Sequence, residues 1–333
     1  MHPGGSAGMG GLGGRPDLPV TATVTVIGEA VIDLVPGEQP HSYFAVPGGS
    51  PYNVAVGLAR LGQRVSLMAR LSDTAFGRLL RDHAQSEGID LAAAPRAAEP
   101  TTLAVVGLDA RAQASYDFYV EGTADWQWTA REAARAPASS AVLHFGSIAS
   151  WTPPGDARIL DLARVLRERG DVLVSYDPNV RPGLLADREQ GLVAIERAVR
   201  LSHLAKASAD DVAWLYPGLL LDEVAKRWLG LGATVVVITR SDSGADAYTS
   251  GGLALHRPAR DVIVVDTVGA GDSFTAGLIA SFISRDLYSP ARLAQCPADQ
   301  LAGALDDAIL VASINVQRRG NDPPTLADLA AAG

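Results

Sequence analysis

The stretch Asp266-Thr-Val-Gly-Ala-Gly-Asp-Ser-Phe274 joins two segments of different hydrophobic periodicity. Before it, the apolar β-branched run 261–265 predicts a strand. After it, the apolar residues of 273–283 recur with helical spacing. The glycines are therefore expected where a strand turns into a helix, and the free N–H groups and positive dipole end of a helix start favour an anion. The stretch predicts a phosphate-binding turn.

Two glycines and one carboxylate leave two interpretations of this turn open. Gly269 and Gly271 let the backbone approach an anion without an intervening Cβ. Asp272 would be repelled by a bound phosphate, unless it acts as a general base that deprotonates a hydroxyl attacking the phosphorus. Alternatively, Asp272 only caps the helix and the glycines form a tight turn.

Composition limits the class of protein. The chain has 333 residues, 47% of them hydrophobic, and a net charge of -9, which disfavours nucleic acid or an anionic membrane as a partner. Its single cysteine, Cys296, excludes an intrachain disulfide and a cysteine-based metal cluster, and fits a reducing cytoplasm. No apolar run reaches the roughly 18 residues of a membrane span.

The order of predicted elements indicates one α/β domain over residues 20–333, after a flexible Gly-rich tail at 1–19. From residue 139 onward strands alternate with helices, which is typical of a parallel sheet covered on both faces. Strands within about 31–47 and 101–121 form a small inserted β-layer, with 109–113 as a hairpin-like link. This layer is expected to act as a lid on the α/β domain.

A second informative stretch is Gly48-Gly-Ser-Pro-Tyr-Asn-Val-Ala55. Two glycines precede a helix, and Asn53 lies in its first turns. An asparagine amide both donates and accepts hydrogen bonds, which suits sugar hydroxyls. The alternative is an ordinary helix start with a solvent-facing asparagine.

Together, the 48–55 and 266–274 stretches resemble the two signatures of the ribokinase-like (PfkB) family of carbohydrate kinases, especially its bacterial fructokinase branch. They occur in the family's order, more than 200 positions apart, and the resemblance extends over about residues 22–325. It implies a three-layer α/β/α domain with a mainly parallel sheet and a small inserted β-sheet lid. It also implies an enzyme that transfers the γ-phosphate of ATP to a sugar hydroxyl. A Walker A lysine motif is missing.

The resemblance assigns roles by position. Asp272 would be the base, and the backbone of Gly269, Ala270 and Gly271 the anion hole. The sugar-binding positions it implies are Asp33, Gly49, Asn53 and Arg181, the last in Asp177-Pro-Asn-Val-Arg181.

Nucleotide and ion positions are also implied by the resemblance. The nucleotide side comprises Lys206, Ser208, Thr239, Gly244, Gly271 and Asn315. Ser208 and Asp211 replace the family's Asn-x-x-Glu pattern. Asp211 is therefore a candidate for organising Mg²⁺, directly or through water, although Asp210 and Asp211 could simply favour a helix N-terminus. Asp266 is the position implied for K⁺, but Val268 lacks the hydroxyl common there.

Aromatic residues and a histidine invite two interpretations each. Packing is favoured over a place on the lid's apolar inner face for each of five aromatic residues: Tyr116, Phe118, Tyr119, Trp126 and Trp128. For His144, at the end of a strand, a buried and satisfied histidine is favoured over a catalytic one.

Substrate identity is the open question. The stretches 28–36, 121–125, 144–147 and 177–182 most resemble bacterial fructokinases, which implies transfer to the 6-hydroxyl of fructose. The first alternative is 2-keto-3-deoxygluconate, whose carboxylate requires a cationic side chain in the sugar pocket; another ribokinase-like sugar kinase is a further one. A catalytically silent sugar-binding protein is the non-enzyme alternative. A homodimer through the exposed lid edges is also expected from the resemblance.

Overall fold

The computed structural model of the chain describes residues 22–39, 41–108, 114–185 and 187–332. The predicted tail at 1–19 and the hairpin link at 109–113 lie outside the described residues. Within the described residues, the α/β architecture with an inserted β-sheet is confirmed.

The strands, in chain order, are β1 (Thr23–Ile27), β2 (Val31–Pro36), β3 (Tyr43–Gly48), β4 (Arg64–Met68), β5 (Leu71–Ser72), β6 (Arg96–Ala97), β7 (Leu103–Leu108), β8 (Ala114–Tyr119), β9 (Ser140–Gly146), β10 (Leu173–Asp177), β11 (Leu204–Ser208), β12 (Val235–Thr239), β13 (Ala245–Thr249) and β14 (Ala254–Arg257). The helices are α1 (Ser50–Arg60), α2 (Ala75–Ser86), α3 (Ala130–Ala133), α4 (Asp156–Arg169), α5 (Arg188–Val199), α6 (Ala209–Leu215), α7 (Leu221–Leu231), α8 (Ala270–Ser284), α9 (Pro290–Ala294), α10 (Ala298–Asn315) and α11 (Leu326–Ala332).

The central sheet has the strand order β14-β13-β12-β11-β10-β9-β1-β4 in the described part of the chain. The strands from β12 to β4 run parallel, and β13 and β14 add an antiparallel edge. Helices cover both faces, so the central strands are apolar on both sides, as in the Val-Val-Val-Ile run of β12. The carboxyl ends of the parallel strands meet at one edge, which is where open α/β sheets bind ligands.

The sheet separates two apolar cores. One core packs α1, α8 and α10 against the face that carries Val24, Val26 and Val237. The other packs α4, α5 and α7 against the opposite face, with Val236 and Ile238. Alternating residues of the same strands therefore supply both cores, as the two-residue period of a strand requires.

A second sheet, with the order β3-β2-β7-β8, contains the strands predicted to form the lid, and it is called the lid below. The chain enters it from β1 through Gly28-Glu29-Ala30, and this crossing is fixed by two buried carboxyl groups. Glu29 Oε2 accepts a hydrogen bond from the Ala149 N–H at 3.0 Å, and Asp125 Oδ1 accepts one from the Ala30 N–H at 2.8 Å. Burial raises the pKa of Glu29 to about 7 and that of Asp125 to about 6. The lid is thus joined to the central sheet by a hydrogen-bonded crossing.

The strand predicted at 261–265 is wrong. The segment 261–264 has no regular structure, and Ile263 is 82% exposed. The chain leaves β14 at Pro258, which has no N–H to donate to a sheet. It then runs along the end of α10, where the N–H groups of Val265 and Asp266 donate to Val316 O. β-Branched composition alone does not supply a strand with a pairing partner.

Helices α1 and α8 pack against each other at a position without a side chain. An added Cβ at Gly57 would lie 2.8 Å from the Ala276 Cβ. Ser50, Asn53 and Gly57 follow the i, i+3, i+7 spacing of one helix face, so the contact at Gly57 directs the other two toward α8. The close approach of these helices therefore places the first turn of α1 beside the first turn of α8.

Gly57→Ala should destabilise the protein by about 1–3 kcal/mol, since an overpacked core forces neighbouring groups to move. Urea unfolding followed by circular dichroism measures this cost. Gly230→Ala is the matched control. Gly230 is helical like Gly57, but it is exposed and has open space around its Cβ position. It should raise stability by about 0.5–1 kcal/mol through helix propensity. Equal effects at both positions would contradict close packing at Gly57.

Candidate active site

Asp272 lies where the N-termini of two helices meet. It occupies the first turn of α8 and is 8% exposed. Its Oδ1 accepts a hydrogen bond from Ser50 Oγ at 2.6 Å, and its Oδ2 accepts one from Asn53 Nδ2 at 2.8 Å, both from the start of α1. Burial raises the pKa of Asp272, and the Ser50 and Asn53 hydrogen bonds lower it. The pKa of Asp272 is raised overall because burial outweighs the two donors, which orient the carboxylate and favour its ionised form.

The glycine loop forms the N-terminus of α8. Gly269 is the N-cap residue with φ 73°. A Cβ there would lie 2.0 Å from Asn321 Oδ1, so both backbone conformation and space require glycine. The Ala270 N–H turns back to Thr267 O at 3.2 Å. The N–H groups of Gly271 and Asp272 belong to the first helical turn, which has no intrahelical partners for them.

A buried ion pair between Lys206 and Asp177 lies against this loop. Lys206 Nζ lies 2.8 Å from Asp177 Oδ2, and the two side chains are 5% and 2% exposed. Lys206 Nζ also donates to Gly271 O at 3.5 Å, and Thr275 Oγ1 donates to that carbonyl at 3.0 Å. Burial by itself lowers the pKa of Lys206, but the adjacent Asp177 carboxylate outweighs it, so the pKa is raised. A charged lysine therefore holds the second residue of α8.

The lid strand β2 carries Asp33, a partly buried carboxyl group. Burial raises the pKa of Asp33 to about 6; Arg181 lowers it and Asp272 raises it, so both charges lie close by. Asp33 also packs on Gly48, where an added Cβ would lie 2.2 Å from Asp33 Oδ2. Arg181 NH1 donates to Asn179 Oδ1 at 2.6 Å.

On α1, Gly49 is the N-cap with φ 100°. The Oδ1 atom of Asn53 is buried and finds no partner among the described residues. Asn53 therefore contacts Asp272 directly, while the charges of Arg181 and Asp272 act on Asp33.

Asp211 and Asp266, the two carboxylates predicted to bind metal ions, both accept hydrogen bonds from the chain. Asp211 Oδ2 accepts from the Ser208 N–H at 2.9 Å and the Ser208 hydroxyl at 2.7 Å, while its Oδ1 accepts from the Val180 N–H at 2.8 Å. Asp266 accepts from the N–H groups of Val268, at 3.0 Å, and Gly320, at 2.8 Å. The described residues contain no group of three His, Cys, Asp or Glu that could hold a metal ion. This geometry favours helix capping for Asp211 and loop bracing for Asp266.

The predicted nucleotide-side residues separate into two groups. Thr239 ends β12, next to Ser208 at the end of β11, and Gly244 directly precedes β13 with φ 93°. Asn315, in contrast, is fully buried: its Nδ2 donates to Val268 O at 2.8 Å, and its Oδ1 accepts from the Asp322 N–H at 3.0 Å. The Asn315 side chain therefore braces the glycine loop against the C-terminal segment.

The aromatic residues also separate. Trp126 and Trp128 are each 3% exposed and belong to the core on the α4 side of the sheet, so they pack rather than line the site. Tyr116 and Phe118 stack on β8 with ring centroids 6.1 Å apart, and Tyr119 is 61% exposed. His144 is fully buried, bonds Ser175 Oγ at 3.1 Å, and burial lowers its pKa to about 3. His144 is therefore a neutral core residue.

Sequence reasoning missed three residues of this arrangement as site residues. Ser50 was quoted only as part of a glycine motif, although it contacts Asp272 directly. Asp177 and Thr275 meet Lys206 and Gly271 only because β10, β11 and α8 converge. Their one sequence signal is position: Asp177 is the last residue of a buried strand, at the carboxyl edge of the sheet.

Comparison with known proteins identifies the family of this arrangement. The model of the pfkB family carbohydrate kinases matches residues 21–327. The chain belongs to the pfkB family of carbohydrate kinases. It is thus a sugar kinase, a phosphotransferase with an alcohol group as acceptor. No helix in the described part of this kinase combines the length and apolar character needed to cross a bilayer.

Individual relatives show how far the likeness extends. The kinase is 33% identical over 287 residues to a fructokinase of Rhizobium leguminosarum bv. trifolii, covering 84% of this chain and 85% of that one. It is 32% identical over 273 residues to an aminoimidazole riboside kinase of Salmonella typhimurium, covering 82% and 84%. A crystal structure of a Vibrio cholerae O395 fructokinase double mutant, bound to fructose, ADP and potassium ion, matches with TM-score 0.82 at 26% identity, covering 94% and 98%.

Lys206→Met should destabilise this kinase by about 3–5 kcal/mol, since it leaves the Asp177 carboxylate buried without its countercharge. Denaturant unfolding measures the loss. The double variant Lys206→Met, Asp177→Asn should lose less than the sum of the two single variants. Lys226→Met is the matched control because the Lys226–Asp222 pair is solvent-exposed, and it should leave the unfolding midpoint nearly unchanged. Additive effects at 177 and 206 would contradict the pairing.

Proposed function

We propose that this kinase transfers the γ-phosphate of ATP to the 6-hydroxyl of fructose, with Asp272 as general base. The observation that carries the proposal is the Asp272 carboxylate itself, buried at two helix N-termini with an oriented donor on each oxygen. If Asp272 only capped α8, it would not need hydrogen-bond donors from a second helix. The matching arrangement under a lid favours catalysis over the cap interpretation.

The proposed step moves one proton and one phosphoryl group. Asp272 takes the proton of the sugar hydroxyl, and an electron pair of the sugar oxygen forms the bond to the γ-phosphorus. The bond between the γ-phosphorus and the bridging oxygen breaks, and ADP leaves with its electrons. Gly269, Ala270 and Gly271 form the anion hole in this proposal. The first-turn amides of Gly271 and Asp272, with the helix dipole, are its best-placed donors, while the Ala270 N–H would have to leave Thr267 O.

On the sugar side, Asp33, Gly49, Asn53 and Arg181 are the proposed contacts. The buried Asn53 Oδ1, unpartnered within the described chain, is an acceptor suited to a sugar hydroxyl. Asp33, next to Arg181, offers a second acceptor. The likeness to fructokinases in sequence and structure supports fructose. A guanidinium at this edge also suits the carboxylate of 2-keto-3-deoxygluconate, and the aminoimidazole riboside kinase relative makes a riboside a further candidate.

On the nucleotide side, ATP is proposed to enter beside Lys206, Ser208, Thr239, Gly244 and Gly271. The exposed run Ile263, Val264 and Val265 directly precedes the glycine loop and offers an apolar surface for a base ring. Asn315 would act by bracing the loop. Asp211 and Asp266 each accept hydrogen bonds from the chain on both oxygens, so neither is proposed to bind a metal without further ligands. Mg²⁺ is proposed as a companion of the ATP phosphates, with Asp211 as a candidate for holding it directly or through water. K⁺ is proposed beside Asp266, and the potassium ion bound in the Vibrio cholerae O395 fructokinase structure supports this part of the proposal.

The proposal includes a homodimer formed through the lid. Tyr43, Phe44 and Tyr119 are 53%, 63% and 61% exposed on the lid sheet. These residues lie on β3 and β8, the two edge strands of this sheet, and exposed apolar groups at sheet edges favour pairing with a second copy of the chain. Light scattering at micromolar concentration should give twice the chain mass; a monomer would contradict this part of the proposal.

A coupled ADP-release assay over a substrate panel tests the function. Fructose should give the highest kcat/KM, above 2-keto-3-deoxygluconate, ribose and aminoimidazole riboside. Turnover with the keto acid or a riboside alone would overturn the fructose assignment and leave the sugar kinase intact. Sugar binding by calorimetry without ATP consumption would instead favour a silent binding protein.

Asp272→Asn should lower kcat by about 10²–10⁴ with a much smaller change in KM, because it removes the base and keeps a capping side chain. Steady-state kinetics with the preferred sugar measures both constants. Asp299→Asn is the matched control, since Asp299 is also an acidic residue in the first turn of a long helix, and it is exposed. Near-normal kcat in Asp272→Asn would restore the helix-cap interpretation.

A further inference from the structure

Ser50 has an unusual use for a serine at a helix start. It is the first residue of α1, but Gly49 is the N-cap, so the Ser50 side chain does not cap the helix. Its hydroxyl, in a residue only 6% exposed, instead donates to Asp272 Oδ1 at 2.6 Å, across 222 positions of sequence. This short, buried contact to an ionised acceptor belongs to the stronger class of hydrogen bonds.

The two partners of Asp272 differ in what they can do after proton transfer. Asn53 approaches Oδ2 with its amide nitrogen, which can only donate. The Ser50 hydroxyl can donate to the carboxylate, or turn and accept from the protonated carboxyl. Of the two contacts, only the one with Ser50 can therefore be satisfied before and after the base takes a proton.

We propose that Ser50 is a positioning residue for phosphoryl transfer, which aligns Asp272 as the base and then accepts the hydrogen bond of the carboxyl formed when Asp272 takes the sugar proton. The inference rests on the proposed function of Asp272. The sugar oxygen forms its bond to phosphorus, ADP leaves with the electrons of the broken bond, and Ser50 exchanges no proton with the substrate.

The charges around Asp272 set the expected pH behaviour. Lys206 on β11 favours the ionised carboxylate, while Asp177 on β10 and Asp33 on β2 disfavour it. Burial is the largest influence and raises the pKa of Asp272; the Ser50 hydrogen bond opposes it. Loss of the hydroxyl therefore raises this pKa further, so the base becomes protonated, and inactive, at higher pH.

Ser50→Ala tests the proposal through the pH profile of kcat/KM. The acidic limb should move to higher pH by about one unit, since a hydrogen bond to a charged group is worth about one pKa unit or more. Plateau kcat should fall by roughly tenfold as the base loses alignment. Ser50→Thr keeps the hydroxyl and should retain the wild-type limb. Ser66→Ala, which removes a buried hydroxyl from edge strand β4, should change neither value.

An unshifted limb in Ser50→Ala, with an unchanged melting temperature, would overturn the proposal. Should the alanine variant not fold, Ser50→Cys replaces it: the weaker thiol donor should shift the limb in the same direction by a smaller amount.

A titration of the Asp272 carboxyl by carbon-13 NMR, assigned by comparison with Asp272→Asn, needs no turnover. It separates failure of the Ser50 inference from failure of the proposed function. An Asp272 pKa that is the same with and without the Ser50 hydroxyl would overturn the inference even if fructose were phosphorylated.

Discussion

The structure of the site depends on the meeting of two helix N-termini at one buried carboxylate. α1 and α8 each present the positive end of a dipole to Asp272, and Ser50 and Asn53 supply one donor to each of its oxygens. Without these partners, burial would drive the carboxyl toward its neutral form. The helices can come this close because Gly57 has no side chain to separate them.

The negative charges near Asp272 are partly offset by a buried lysine. Asp177, Asp211 and Asp272 all raise the pKa of Lys206, the buried cation among them. That lysine is fixed by Asp177 and reaches Gly271 O, so the charge that offsets the carboxylates also holds the glycine loop. An incoming phosphoryl group would add negative charge here, and the lysine and the start of α8 are the features that tolerate it.

The lid contributes to the site through its attachment as much as through its surface. Glu29 and Asp125 fix the crossing from β1 into β2, and β2 then carries Asp33 toward Asp272. The carboxyl groups of Glu29 and Asp125 are both buried, and burial favours their protonated forms. The position of Asp33 thus depends on polar groups outside the candidate site.

The sequence by itself determined the elements and the two signature stretches. Hydrophobic periodicity located α1, α8 and most strands, because burial of one face requires apolar residues at regular intervals in the sequence. It failed at 261–265, where a β-branched run has no strand to pair with. The signatures also identified Asp272 and Asn53, since both lie at glycine-marked helix starts.

Only the tertiary structure decided which side chains contact one another. Asn315, Asp211 and Asp266 match functional positions, yet each is bonded to the backbone of its own chain. Ser50 looked like part of a turn and proved to contact Asp272. The reason is physical: a side chain's partners are set by distances between residues far apart in sequence, and no local pattern contains those distances.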